Sequence, residues 1–312
     1  MPWLYTTLGV VGGLVFLVLL TALICFFKVF YSPRRKPFDP EVYDIPPGRE
    51  YQERRDVIVN WTKAARAMPH EEITISSYDG LKLVGYYYEY APNSPMEIIF
   101  HGYKGNADRD LSGGVLRCHS LGRSALIVDQ RAAGKSEGHV ITFGIKERRD
   151  CASWVRYARE RFGDDRKIII TGVSMGAATV VMAAADPELP KISSVVADCG
   201  YTSAREIISL IIGKMGLPVR ILYPFVRLGA RIFGGFKLEE YSPIVAASEA
   251  RFPIIFIHGD ADDFVPTEMS VKVEGVCSAR SDILLVKGAA HGLAYPVDVS
   301  GYERALAEFD PD

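Results

Sequence analysis

Six short apolar runs, MEIIF, SALIVD, KIIITG, ISSVVAD, PIIFIHG and ILLVKG, constrain this chain more than any other feature. Each is strand-sized and largely apolar, the pattern of a strand covered on both faces. Helical segments separate them. Between SALIVD and KIIITG, for example, Cys151, Trp154, Val155, Ala158 and Phe162 recur at the spacing of one helical face. Strand alternating with helix specifies an α/β protein with a mostly parallel, doubly wound sheet. Upstream, ITISSYDGLKLVGYYYEY reads as two strands about a Tyr78-Asp79-Gly80 turn, so the sheet opens with an antiparallel hairpin.

Two segments depart from this rhythm. More than fifty residues separate ISSVVAD from PIIFIHG, too many for an ordinary crossover. Within them, about residues 201–240, ISLIIGKMGLPVRILYPFVRLGARIF is apolar over much of its length. An insertion there overhangs the strand C-termini, where such sheets bind ligands, and is expected to act as a helical lid. The second departure is at the N-terminus. From Trp3 to Tyr31 only Lys28 is charged, and the apolar stretch is long enough to cross a bilayer. Met1-Pro2 supplies no basic n-region and nothing after Ala22 resembles a cleavage site, so a retained single-pass anchor over residues 3–31 is expected. Lys28, Arg34, Arg35 and Lys36 follow the helix, which puts the large domain on the cytoplasmic side of the cell membrane. A proline- and charge-rich linker, 32–50, is expected to pack loosely before a single domain over 51–312 that opens with a helical stretch at about 51–67.

The balance of charges narrows the function classes. A net charge of −2 gives no electrostatic basis for nucleic-acid binding. Five scattered cysteines with no C-x-x-C pair, and no H-x-x-x-H, argue against a metal centre and for reduced thiols.

The chemistry gathers at strand ends. KIIITG leads into TGVSMGAAT, where Ser174 sits between Gly172 and Gly176 before an alanine-rich helix. One reading is a serine N-cap at a glycine corner. The other is a nucleophile on a tight strand-to-helix turn. Serine needs a histidine base, and the histidine an orienting carboxylate. Of six histidines, only His258 and His291 follow Ser174. His291, in KGAAHG after the last strand, is the expected base; His258, at the end of a strand, suits a structural role. HGDADDFVP supplies the acid: Asp262 first, Asp263 next, with Asp198 at the end of ISSVVAD an alternative one strand earlier. Main-chain N–H groups for an oxyanion are expected from Met175, which follows the serine, and from Tyr103 in the HGYKG loop after the first parallel strand. His101 in that loop is expected to shape it.

HGYKG, GVSMG, HGDADD and AAHG, in this order, resemble the α/β-hydrolase superfamily, in particular membrane-anchored bacterial serine hydrolases of the serine aminopeptidase-like and prolyl-oligopeptidase-like branch. DQRAAGKSEG, Asp129 to Gly138, is similar to the family's D-x-R-G-x-G-x-S-x-G stretch, with Ala132 in place of its first glycine; YSPI, Tyr241 to Ile244, also fits. The resemblance covers about Ile73 to Phe309. It implies an α/β-hydrolase fold and cofactor-free, metal-free hydrolysis of an ester, thioester or amide. An acyl ester of a small molecule or lipid is the leading substrate class. A peptidase or acyltransferase on the same residues, and a non-catalytic membrane-tethered binding protein, are the alternatives.

Overall fold

The structure is a computed structural model that describes residues 2–33, 41–46 and 48–309. An eight-stranded sheet in the order β1-β2-β4-β3-β5-β6-β7-β8 forms its centre. β1 (Glu71–Ser76) and β2 (Lys82–Tyr88) pair antiparallel, and β2 meets β4 (Ser124–Asp129) antiparallel. From β4 onward every pairing is parallel, through β3 (Met96–Phe100), β5 (Ile168–Val173), β6 (Ser194–Asp198), β7 (Ile254–Gly259) and β8 (Ser281–Val286). β3, β4, β6 and β7 are buried at every residue, which is why these runs carry no polar alternation. β8 closes the sheet and is half exposed.

Helices cover both faces. α4 (Ala107–Ser120) and α12 (Val299–Phe309) bury against small apolar clusters on one side, while α5 (Glu147–Phe162) and α6 (Met175–Ala184) join the main core on the other. α6 is buried at every position; its alanines and glycine let the backbone lie close on the strands. α9 (Pro243–Ser248) and α10 (Thr267–Glu274) flank β7, and α11 (Ala294–Val297) precedes α12. β3 lies between β4 and β5, so the connection from β3 to β4 runs one way along the sheet and that from β4 to β5 runs back past β3 the other way. That reversal opens a crevice beyond the strand C-termini.

The helical stretch expected at 51–67 is two helices, α2 (Arg49–Glu53) and α3 (Arg55–Ala67). The long insertion forms α7 (Ala204–Lys214) and α8 (Val219–Ile232). N-terminal to all of these, α1 (Pro2–Val29) is one apolar helix, long and apolar enough over Tyr5–Val29 to cross a bilayer. Most of its described surface is exposed, but its last two turns join the domain. Ala22, Phe26 and Phe30 are buried, and the Phe26 Cβ would stand 3.3 Å from a Cβ placed on Gly229 of α8. Phe30 packs edge-on to Phe143 and Phe236 at 5.8 and 5.3 Å between ring centres. Tyr31 bridges Val140, Ile141 N–H donates to Phe30 C=O at 2.8 Å, and Ser32 N–H donates to His139 C=O at 2.9 Å. Of the linker, residues 34–40 and 47 lie outside the described residues, including Arg34, Arg35 and Lys36, on which the expected orientation partly rests. Its described parts pack more closely than proline and charge content suggested. Ser32 is buried, and the Tyr43 ring lies under the Arg66 guanidinium at 4.6 Å.

Candidate active site

Ser174 occupies the turn between β5 and α6 with φ 57° and ψ −114°, a left-handed conformation that L-residues adopt only under constraint. The constraint comes from both sides. A Cβ on Gly172 would collide with the Gly176 carbonyl group, and one on Gly176 with the Phe100 carbonyl of β3. The two glycines are therefore required by close backbone approach. Ser174 N–H donates to Asp198 C=O at 2.8 Å, tying the turn to β6.

His291 lies in the loop between β8 and α11, and Asp262 in the loop after β7. The structure brings both to Ser174. His291 Nδ1 is 2.7 Å from Asp262 Oδ2, and His291 Nε2 is 2.9 Å from Ser174 Oγ. A carboxylate only accepts, so Nδ1 carries the proton and Nε2 turns its lone pair to the serine hydroxyl. That is the tautomer a general base needs. The Asp262 carboxylate is held in turn: Oδ1 accepts the N–H groups of Phe264 and Val265 at 2.9 and 2.8 Å. Burial alone would push its carboxyl up; hydrogen bonds from His258 and His291, the His291 ring and the Val265 N–H outweigh this and hold it well below the usual range.

His258 is wholly buried and sits against the same carboxylate, with Nε2 3.1 Å from Asp262 Oδ2 and 2.9 Å from Val265 C=O. Both neighbours accept, so Nε2 is protonated, and Nδ1 faces Ser270 Oγ at 2.7 Å. It buttresses Asp262 rather than serving as a second base. Asp263 and Asp198 are not joined to His291. Asp198 instead accepts from Tyr302 Oη at 3.0 Å, and burial pushes its carboxyl up. His101 is buried, accepts the Gln130 N–H at Nε2 (3.0 Å) and contacts the Gly102 carbonyl through Nδ1 (2.7 Å), which fixes the loop after β3.

That loop brings Gly102 beside the serine: a Cβ there would stand 3.4 Å from Ser174 Cβ. Among the described residues, no hydrogen bond engages the main-chain N–H of Tyr103 or of Met175, the first residue of α6. The helix N-terminus adds its partial positive charge at the same place. The Tyr103 side chain turns away, its hydroxyl donating to Val29 C=O at 2.7 Å.

Three potential ligand atoms, of Cys199, Asp262 and His291, lie within 4.8 Å of one another. They make a poor metal centre. Burial pushes the Cys199 thiol well up, so it is neutral, and Asp262 and His291 are engaged with each other.

A cavity of about 250 Å³ opens at Ser174 and His291. Ile58, Trp61, Leu111 and Tyr295 give it apolar walls, and Arg109 and Asp110 a charged edge. Among the described residues, none of 201–240 lines it, while Pro46, Tyr51, Ile58, Trp61 and Thr62 do. The insertion instead packs on α1. Tyr51 of α2 reaches the site: its hydroxyl donates to His291 C=O at 2.7 Å, and Arg54 fastens the same segment to Pro296 C=O at 3.0 Å. Neither contact was legible beforehand. The sequence marked a helical stretch at about 51–67, but not what it would cover.

A family model described as alpha/beta hydrolase fold matches residues 98–211. The chain is 25% identical over 243 residues to YqkD, an uncharacterized protein of Bacillus subtilis, covering 78% of this chain and 79% of that one. It is 24% identical to protein bem46 of Schizosaccharomyces pombe over 248 residues, 78% and 77% of the two chains. Among solved structures it is similar to the Pyrococcus furiosus esterase Pf2001, with a TM-score of 0.65 and 20% identity over 90% of this chain and 97% of that one. It is also similar to Est1E of Butyrivibrio proteoclasticus with ferulic acid bound, with a TM-score of 0.58 and 22% identity over 76% and 97%. The strand order, the serine turn at the sheet's reversal and these likenesses agree: the chain is a protein of the α/β-hydrolase fold.

Proposed function

We propose that this chain is a membrane-anchored serine hydrolase that cleaves an acyl ester. The observation that carries the reading is the relay from Asp262 Oδ2 through His291 to Ser174 Oγ, at 2.7 and 2.9 Å. Ser174 Oγ attacks the acyl carbonyl as His291 Nε2 takes its proton, while Asp262 holds the ring and stabilises the imidazolium. The Tyr103 and Met175 N–H groups receive the oxyanion. His291 then protonates the leaving alkoxide. Water, deprotonated by the same nitrogen, releases the acid and regenerates the serine. The apolar walls of the cavity favour a lipophilic acyl group, and the esterases among its structural neighbours support ester over amide. α1 is the anchor, and Lys28 with Arg34, Arg35 and Lys36 favours a catalytic domain on the cytoplasmic face.

The test is labelling by a fluorophosphonate probe and hydrolysis of an ester and amide panel, in wild type and in Ser174→Ala, His291→Ala and Asp262→Asn. Labelling is expected to vanish with the first and collapse with the second. Asp262→Asn is expected to lower turnover by about 10⁴-fold, because the ring loses its tautomer. Unchanged turnover in the Ser174→Ala protein would end the proposal. Faster amide than ester cleavage would reassign the substrate.

A further inference from the structure

The insertion that leaves the cavity uncovered has a surface of its own. α8 presents two parallel outer stripes. Ile221, Phe225, Leu228 and Ile232 follow one another at helical spacing, with Ile221 61% and Ile232 49% exposed and the middle two half-buried. Next to them run Arg220, Arg227 and Arg231, all exposed. Arg227 lies 3.3 Å from Glu239; among the described residues no carboxylate pairs with Arg220 or Arg231. The turn before α8 adds Met215 and Leu217, also exposed. An apolar stripe edged by arginine is the pattern of a helix lying in a membrane surface.

The anchor fixes where α8 must sit. α1 has 28 residues, about 42 Å at helical rise, against a hydrocarbon core of about 30 Å. With Tyr5 at the outer interface, the core ends about twenty residues on, near Cys25. α8 meets α1 on either side of that level, where Gly229 abuts Ala22 and Phe26, and Phe233 packs on Phe26 at 6.0 Å. Exposed Leu20, Ile24 and Phe27 of α1 extend the apolar surface at the same level.

We propose that α8 is an interfacial helix whose Ile221–Ile232 stripe enters the acyl boundary of the bilayer, with Arg220 and Arg231 taking the phosphates of anionic phospholipids. The proposal rests on the reading of α1 as an anchor. It gives the insertion a role other than covering the cavity: it holds the domain against the lipid surface. The loop carrying Tyr103, bonded to Val29 C=O, then opens the cavity beside the headgroups. Guanidinium donates paired hydrogen bonds to phosphate oxygens, and an anionic headgroup surface adds net negative charge that a zwitterionic one lacks.

The full chain is placed in nanodiscs of phosphatidylcholine with or without phosphatidylglycerol, with the half-exposed Cys25 and Cys277 changed to serine. Single cysteines at Leu14, Ile221, Ile232 and Leu285 carry a polarity-sensitive fluorophore, and quenching by nitroxide-bearing lipid is read. Ile221→Cys and Ile232→Cys are expected to be blue-shifted and quenched like Leu14→Cys on the anchor, with Leu285→Cys on β8 unquenched. Quenching at Leu14→Cys alone refutes the interfacial helix and leaves the anchor standing. No quenching at Leu14→Cys removes both. Arg220→Glu with Arg231→Glu is expected to weaken quenching at Ile221→Cys in discs containing phosphatidylglycerol, with fluorophosphonate labelling in detergent unchanged. Quenching that is the same in both lipids and insensitive to the two arginines overturns the phosphate contact.

Discussion

Tyr51→Phe removes one oxygen atom, and the structure fixes what that atom does. The hydroxyl donates to His291 C=O at 2.7 Å, from a helix more than two hundred residues away in sequence. Burial pushes the phenol well above its ordinary range, so it is a neutral donor at all working pH values. Losing a neutral hydrogen bond costs about 0.5–1.5 kcal/mol, and a buried carbonyl left without a donor about 1–3 kcal/mol. Each 1.4 kcal/mol is tenfold in rate if it falls on the transition state of the proposed mechanism, in which the His291 imidazolium is to stay aligned with Ser174. A loss of about 1–2.5 kcal/mol in alignment therefore lowers kcat by roughly 5- to 70-fold, with KM little changed because phenylalanine keeps the cavity wall. The assay is ester turnover together with the rate of fluorophosphonate labelling, and urea unfolding on the same protein. A fall in stability with kcat untouched would refute the reasoning, since Tyr51 would then brace the fold without positioning His291.

Ala132 has φ 60°, where only glycine is unstrained, and Ala132→Gly is expected to raise stability by about 0.5–1 kcal/mol, read as a higher urea midpoint at unchanged slope. Trp154 is fully buried and would stand 3.0 Å from a Cβ on Gly85; Trp154→Ala is expected to cost about 3–5 kcal/mol in the same measurement. The Asp262 carboxyl titrates lower in the folded chain than in the unfolded one, so its contribution is present above the unfolded value of about 4 and is lost as pH falls through the folded one. The stability gap between wild type and Asp262→Asn should accordingly close below about pH 4, and a gap constant with pH would exclude this linkage. Phe30→Ala empties a site enclosed by Phe143 and Phe236 and is expected to cost about 3–5 kcal/mol; a cost near zero would mean that the end of α1 is not part of the domain core.

What the sequence disclosed and what it withheld divide along one physical line. Buried parallel strands must be apolar, so five of the six runs were visible for that reason, whereas ILLVKG forms the half-exposed edge strand β8 and shows that an apolar run alone does not mark burial on both faces. The serine turn was visible because its two glycines are forced by steric contact, a demand no other residue meets. Asp262 stood among Asp260, Asp262 and Asp263, and nothing in HGDADDFVP itself selects the carboxylate that receives the Phe264 and Val265 N–H groups. That choice depends on how the loop folds back on itself. His258 met Asp262 by the same route: a histidine four residues away is a partner only if the turn is tight. The wall of the cavity was hidden for a different reason. Hydrophobic spacing tells that a helix buries a face, not which surface it buries it on. Two helical segments stood as possible cover for the crevice, about 51–67 and 201–240, and the sequence pattern alone does not choose between them. What separated them was α1. Its end carries Phe26 and Phe30, which need cover, and Gly229 of α8 lets the α1 backbone approach, the Ala22 carbonyl oxygen lying 2.5 Å from where a Cβ would stand. With α8 packed on α1, described residues between α1 and the sheet line the crevice, and Tyr51 reaches His291. The last two turns of the apolar N-terminal helix thus engage α8, and residues of the segment that follows them, rather than of the insertion, line the cavity at Ser174.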